Sequence, residues 1–306
     1  MVATKEEVLE ALRKYREHVA ARNRYALELY VSLAEYAEAP DENDFPGDDL
    51  EAEIAEARML FLEHFTGGTL TVPFKVEVEG KGEVLCKKEL DLPTPADVLL
   101  YYDQIAAEVG LDGTWTSRSP SYSEERRRSE LTAYVEGMEA WLREHCIPEV
   151  RDFIKFPEEL LVVAEQVNKV HGPGLHSEQQ QQSIPFWNMA EKTPSSTLSI
   201  EELAMHTSCS RAEELVVGAG WQSGSRSKDS HCYFIFCREP TISAEVNDGE
   251  KKKEKTPWSW KYVCEMGFNP NVFDSIPEFL DFYKDAFAVD TKVYPEYGPG
   301  DVWNNL

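Results

Sequence analysis

The sequence predicts an α+β protein: N-terminal helices with a β-hairpin, then an antiparallel sheet flanked by helices. Three observations predict it. Leu9, Leu12, Tyr15 and Val19 repeat at helical spacing in a stretch free of proline and glycine. Val72, Phe74, Val76 and Val78 instead alternate with Pro73, Lys75, Glu77 and Glu79, the period of a half-buried strand. Residues 256–288 then join both patterns in one unit. Trp258, Trp260, Tyr262 and Cys264 alternate; a turn region with Gly267, Asn269, Pro270 and Asn271 follows; Ile276, Phe279, Leu280, Tyr283 and Phe287 repeat at helical spacing.

Taken in order, Thr4 with Glu7 forms a capping box, and one long helix or two shorter ones are expected over 5–39. The acidic loop 39–49 lacks the fixed ligand order of a calcium loop. A helix over 50–65 stops at Gly67-Gly68. The hairpin turns at Gly80-Lys81-Gly82 and returns through Val84, Cys86, Leu90 and Leu92. Thr94-Pro95 starts a helix with stripe Val98, Tyr102, Ile105 and Val109, ended by Gly110 and Gly113. The serine-rich run 114–125 is the expected domain boundary, giving residues 1–120 and 121–306 as the two parts.

The second part opens with a stripe of Leu131, Tyr134, Val135, Met138, Leu142 and His145, closed near Cys146 ahead of Pro148. Arg126, Arg127 and Arg128 read as a solvated helix face. A shorter helix follows Pro157, and residues 176–183 read as a polar loop. Short strands are expected at 186–189 and 214–219, with a capping box of Ser199 and Glu202 between them. Residues 222–230 read as a polar turn, and 231–237 as a central strand, apolar on both faces. Residues 239–255 form a charged excursion, Ser275 with Glu278 starts the last helix, and the tail 294–306 has no periodicity.

The 306 residues carry a formal charge of -25, which argues against nucleic acid and anionic membranes and suits a basic protein partner. No run reaches the length of a membrane span, and the N-terminus lacks the apolar core of a secretion signal, so a cytoplasmic protein is expected. The six cysteines contain no CxxC and are expected as thiols.

No motif specifies a reaction, metal or cofactor, so no catalytic or metal residue is assigned. His171 and His176 flank a turn without zinc-protease spacing. Cys232 and Cys237, at odd separation, should point to opposite faces of a strand. Gly218-Ala219-Gly220 lacks the third glycine of a dinucleotide fingerprint. His206 and Cys209 would form a base and nucleophile pair if the fold brought them together, and His206 or His231 is the first acid–base candidate if the chain is an enzyme. Trp187, Trp221, Trp258 and Trp260 are the candidate binding residues, because aromatic rings anchor interfaces and line ligand pockets.

Several phrases together resemble the SUKH superfamily, which includes fungal cell-wall-synthesis regulators and bacterial toxin-immunity proteins. They are Phe156-Pro157-Glu158-Glu159-Leu160, then Trp187, then residues 258–262, then Val272-Phe273-Asp274-Ser275-Ile276-Pro277-Glu278-Phe279-Leu280. The resemblance covers about 147–288. It departs where the family often has Asn-Gly, since Asn168 precedes Lys169 here. It implies a protein-binding α+β module without catalytic residues and transfers no functional residue.

Overall fold

The computed structural model describes residues 2–36, 58, 71–78, 82–89, 94–116, 123–172, 186–189, 198–208, 215–227, 230–239, 256–266 and 269–286. The expected helix at 50–65 (Arg58 aside), the loop at 176–183, most of the 239–255 excursion and the C-terminal tail lie outside these residues.

The fold is α+β. In chain order the elements are α1 (Lys5–Tyr36), β1 (Thr71–Val78), β2 (Gly82–Glu89), α2 (Asp97–Leu100), α3 (Tyr102–Val109) and β3 (Thr114–Trp115). They continue with α4 (Glu124–His145), α5 (Glu158–Gln166), β4 (Lys169–Val170), β5 (Trp187–Asn188) and α6 (Ile200–Ser208). The last are β6 (Val216–Ser227), β7 (Ser230–Arg238), β8 (Ser259–Met266), β9 (Asn269–Phe273) and α7 (Ile276–Ala286). The chain divides into two compact units. One comprises Met1–Arg13, Glu124–Val170 and Ile184–Tyr283; the other comprises Lys14–Ser123, His171–Ser183 and Lys284–Leu306.

The first unit is built on the antiparallel sheet β6-β7-β8-β9. Strand β7 is buried on both faces. Tyr233, Ile235 and Cys237 face a cluster with Leu203 of α6, Leu215, Val217 and Val263. Phe234 and Phe236 face the other way, opposite Tyr262 and Trp260 of β8. A bulge at Gly218 explains how β6 serves both faces. Val217 pairs with Cys237 and Ala219 with Phe236, so the alternation shifts and Trp221 lands opposite Phe234. Rings from outside the sheet cover this second face: Phe186 stacks on Phe279 of α7 at 4.0 Å, and Phe156 on Trp221 at 6.0 Å.

Three expectations need correction here. Residues 222–230 are not one polar turn, because β6 runs on to Ser227 through the pairs Gln222–Tyr233, Ser225–His231 and Ser227–Ser230. The irregular register lets polar residues occupy a strand without an alternating face. Asn269, Pro270 and Asn271 likewise belong to β9, paired with Met266, Glu265 and Cys264. Pro270 is tolerated because β9 is an edge strand. Arg127 departs from its reading as part of a solvated face. Its guanidinium donates to the carbonyls of Ala164, Glu165 and Val167, closing the C-terminal end of α5.

The second unit contains most of α1, which is one continuous helix. It also holds the hairpin β1–β2, with Phe74 opposite Cys86 and Val76 opposite Val84. Helix α3 ends at Gly110, whose φ of 79° is left-handed, and Gly113 follows at 77°. α1 grips the loop between them. Asn23 donates to the Leu111 carbonyl at 2.7 Å, Arg16 pairs with Asp112, and Asp112 accepts from the Thr114 N–H and hydroxyl.

Candidate functional site

The aromatic face of the β6–β9 sheet becomes exposed at one end, and the residues there follow from strand register. Phe236 lies opposite Trp260, with ring centroids 5.1 Å apart; Trp258, just before β8, stacks on Phe236 at 5.7 Å. Phe153, in the segment between α4 and α5, meets Phe236 edge-on at 6.2 Å and is 49% exposed. Trp258 and Trp260 are half-buried. The Trp260 indole donates to the Lys155 carbonyl, fixing its orientation. Arg238 holds its guanidinium 4.9 Å from the Trp258 ring centroid, and its Nη2 donates to Glu149 at 3.5 Å. Gly218 permits the arrangement. A Cβ there would sit 2.7 Å from the Trp258 ring, and the Gly218 carbonyl accepts the Ile147 N–H.

The four tryptophans singled out in the sequence thus separate into two pairs. Trp187 and Trp221 are core residues. Trp187 donates to the Tyr134 hydroxyl, and Trp221 packs between Phe156 and Phe234. Trp258 and Trp260 reach the surface, connected to Trp221 through the Trp221–Trp260 contact at 5.5 Å. Sequence reasoning missed Phe153 and Arg238. Phe153 has no strand or helix periodicity to mark it, whereas Arg238 ends a strand whose alternation could have placed it beside the rings.

The other face carries a polar group at the β6–β7 hairpin end. Gln222 Nε2 and His231 Nδ1 are 3.0 Å apart, and the Tyr233 hydroxyl donates to Glu265 at 3.3 Å. His231 lies opposite Glu265 in register. Burial pushes the Tyr233 phenol well above its ordinary range, and the Glu265 carboxylate adds to the shift.

Glu159 is the one buried carboxylate among the described residues. Its two oxygens accept separate backbone N–H groups: Ala3 at 2.7 Å, just ahead of α1, and Ile276 at 2.5 Å, at the start of α7. Burial pushes its carboxyl above the ordinary value, and the two donors oppose that shift. The arrangement joins three helix starts and reads as architecture.

Cys232 and Cys264 face each other across β7 and β8, fully buried, and burial raises the Cys232 thiol well above its ordinary value. Cys237 lies on the opposite face, as its spacing requires. All three are buried thiols packed as small apolar side chains. His171 is buried, and its N–H donates to the Gly113 carbonyl. His176, Cys209 and the side chain of His206 lie outside the described residues. No group of three or more His, Cys, Asp or Glu suited to a metal occurs among the described residues. Gly218 and Gly220 serve close packing: a Cβ on Gly220 would meet the Phe234 carbonyl at 2.5 Å. Among the described residues, no helix is long and apolar enough to cross a membrane.

No family model, curated protein or solved structure matches the chain.

Proposed function

We propose that the chain is a non-catalytic protein-interaction or regulatory module of the cytoplasm that engages its partner through the aromatic end of the β6–β9 sheet. One observation carries this reading. Phe153, Trp258 and Trp260 hold half-exposed aromatic area on a rigid, ring-packed base. Preorganised aromatic anchors lose little side-chain freedom on binding, which is why such residues dominate interface energetics. The charge of -25 favours a basic partner. The SUKH-like phrasing of residues 147–288 belongs with the same proposal.

The test is an affinity capture from native cytosol at low and high salt, with wild type and Phe153→Ala in parallel. The reading expects a protein retained by wild type, lost at high salt and reduced by the substitution. Equal capture by both proteins would overturn it.

A second reading, a small-molecule-binding protein or enzyme, draws support from the group of Gln222, His231, Tyr233 and Glu265. It holds an imidazole against an orienting amide, on a residue in register with Glu265, whose carboxylate accepts from Tyr233. Trp221 fills core space in this arrangement and lines no part of that group. Mass spectrometry of co-purifying small molecules tests this reading. A bound molecule whose retention is unchanged in His231→Ala would remove the imidazole from it.

A further inference from the structure

We infer that the partner presents arginine side chains, and that the aromatic end of the sheet discriminates arginine from lysine. The inference rests on the interaction reading above and specifies its chemistry. The molecule already contains one instance of the recognition. Arg238 lies over the Trp258 ring with a carboxylate, Glu149, at its outer end. Side-chain exposure is 12% for Arg238 and 41% for Glu149, so this stack sits at the boundary between the packed rings and solvent. A planar guanidinium suits such a position. It stacks on a π face, is more weakly hydrated than an ammonium, and keeps its N–H edges free for a carboxylate.

Beyond Arg238, the rings of Trp258, Trp260 and Phe153 continue the surface around Phe236. An incoming guanidinium extends the stack on these rings. Exposed carboxylates lie close in the chain to Phe153 and Arg238: Glu149, Asp152, Glu158 and Glu239. Arg151 and Lys155 share that segment, so the local rim is mixed in sign. The long-range bias toward a basic partner therefore comes from the whole chain's charge of -25. Charge brings the partner in, and the rings select the guanidinium. A purely electrostatic surface would not distinguish arginine from lysine, which gives the inference its discriminating test.

The experiment titrates the full chain into fluorescein-labelled peptides at low salt and follows anisotropy. One peptide alternates arginine and glycine; a matched peptide replaces each arginine by lysine. The arginine peptide should bind about fivefold tighter or more. Phe153→Ala should remove most of that preference, weakening the arginine peptide several-fold more than the lysine peptide. Trp260→Phe keeps an aromatic face but loses ring area and the indole N–H bond to the Lys155 carbonyl, and should weaken the preference less than Phe153→Ala. Equal affinity for the two peptides, absence of saturable binding, or a preference untouched in Phe153→Ala would each overturn the inference. The capture experiment separates the two levels. A partner that depends on Phe153 but is not displaced by the arginine peptide leaves the interaction reading standing and removes the arginine assignment. Loss of any Phe153-dependent partner removes both.

Discussion

The two units are held by different physics. In the first, aromatic rings run from Phe279 and Phe186 through Phe234, Trp221 and Phe236 to Trp258 and Trp260. Such contacts are individually weak, and many small dispersion terms add up. In the second, α1 grips a loop with directed bonds. Tyr15 donates to the His171 carbonyl, Asn23 to Leu111 and Tyr102 to Ala20, while two left-handed glycines set the path. The first unit should therefore fail by loss of volume. The second should fail by loss of single donors or of backbone freedom.

Trp221→Ala should show the largest effect. It removes a ring that is 3% exposed and contacts Phe156, Phe234 and Trp260, at a cost of about 3–5 kcal/mol. Urea unfolding measures it. A loss below about 1 kcal/mol would mean that the rings collapse into the space, and that the first unit is not limited by volume.

Gly113→Ala comes next and probes the second unit. Its φ of 77° disfavours a side chain by about 1–2 kcal/mol, and the new Cβ would lie 2.7 Å from the Tyr15 ring. Amide hydrogen exchange should accelerate around residues 110–116 while β7 stays protected. Equal acceleration in β7 would break the contrast between the units. Asn23→Ala should cost less, about 1–3 kcal/mol for a buried carbonyl at Leu111 left without its donor. Its exchange signature should be confined to the same loop.

The contrast also explains what the sequence could reveal. The central strand was legible because burial on both faces leaves β7 apolar throughout, and the opposed Cys232 and Cys237 follow from a period of two. The capping boxes at Thr4 and Ser199 were legible because their partners lie three residues away; at Ser275 the hydroxyl caps the Glu278 N–H as expected, but the Glu278 carboxylate accepts the Asp274 N–H instead. The bulge at Gly218 was not, since the Trp258 ring that leaves no room for a Cβ there comes forty residues later in the chain. Nor was the role of Arg127, whose acceptors lie 37 to 40 residues downstream. For the candidate site, Trp258 and Trp260 were named, but nothing local separates them from Trp187 and Trp221. Only register with β7 decides which rings reach the surface, and Phe153 joins them through tertiary packing alone.

The smallest expected effect concerns Glu159, where burial and directed bonds act against each other. Burial raises its folded pKa above the ordinary carboxylate value, and the Ile276 and Ala3 donors act to lower it. If burial dominates, the folded state holds the proton more tightly than the unfolded state does. The group's contribution to stability is then full below the unfolded pKa and is lost as pH rises through the folded one. Glu159→Gln does not titrate. Its amide can accept one of the two N–H groups and opposes the other, so the variant should be less stable than wild type throughout. The gap between them should narrow as pH rises from about 4 toward about 7. Urea midpoints of both proteins across that range measure it. A gap that widens with pH would mean that the two backbone donors and the surrounding helix starts outweigh desolvation, and that directed bonds govern this point of the first unit as well.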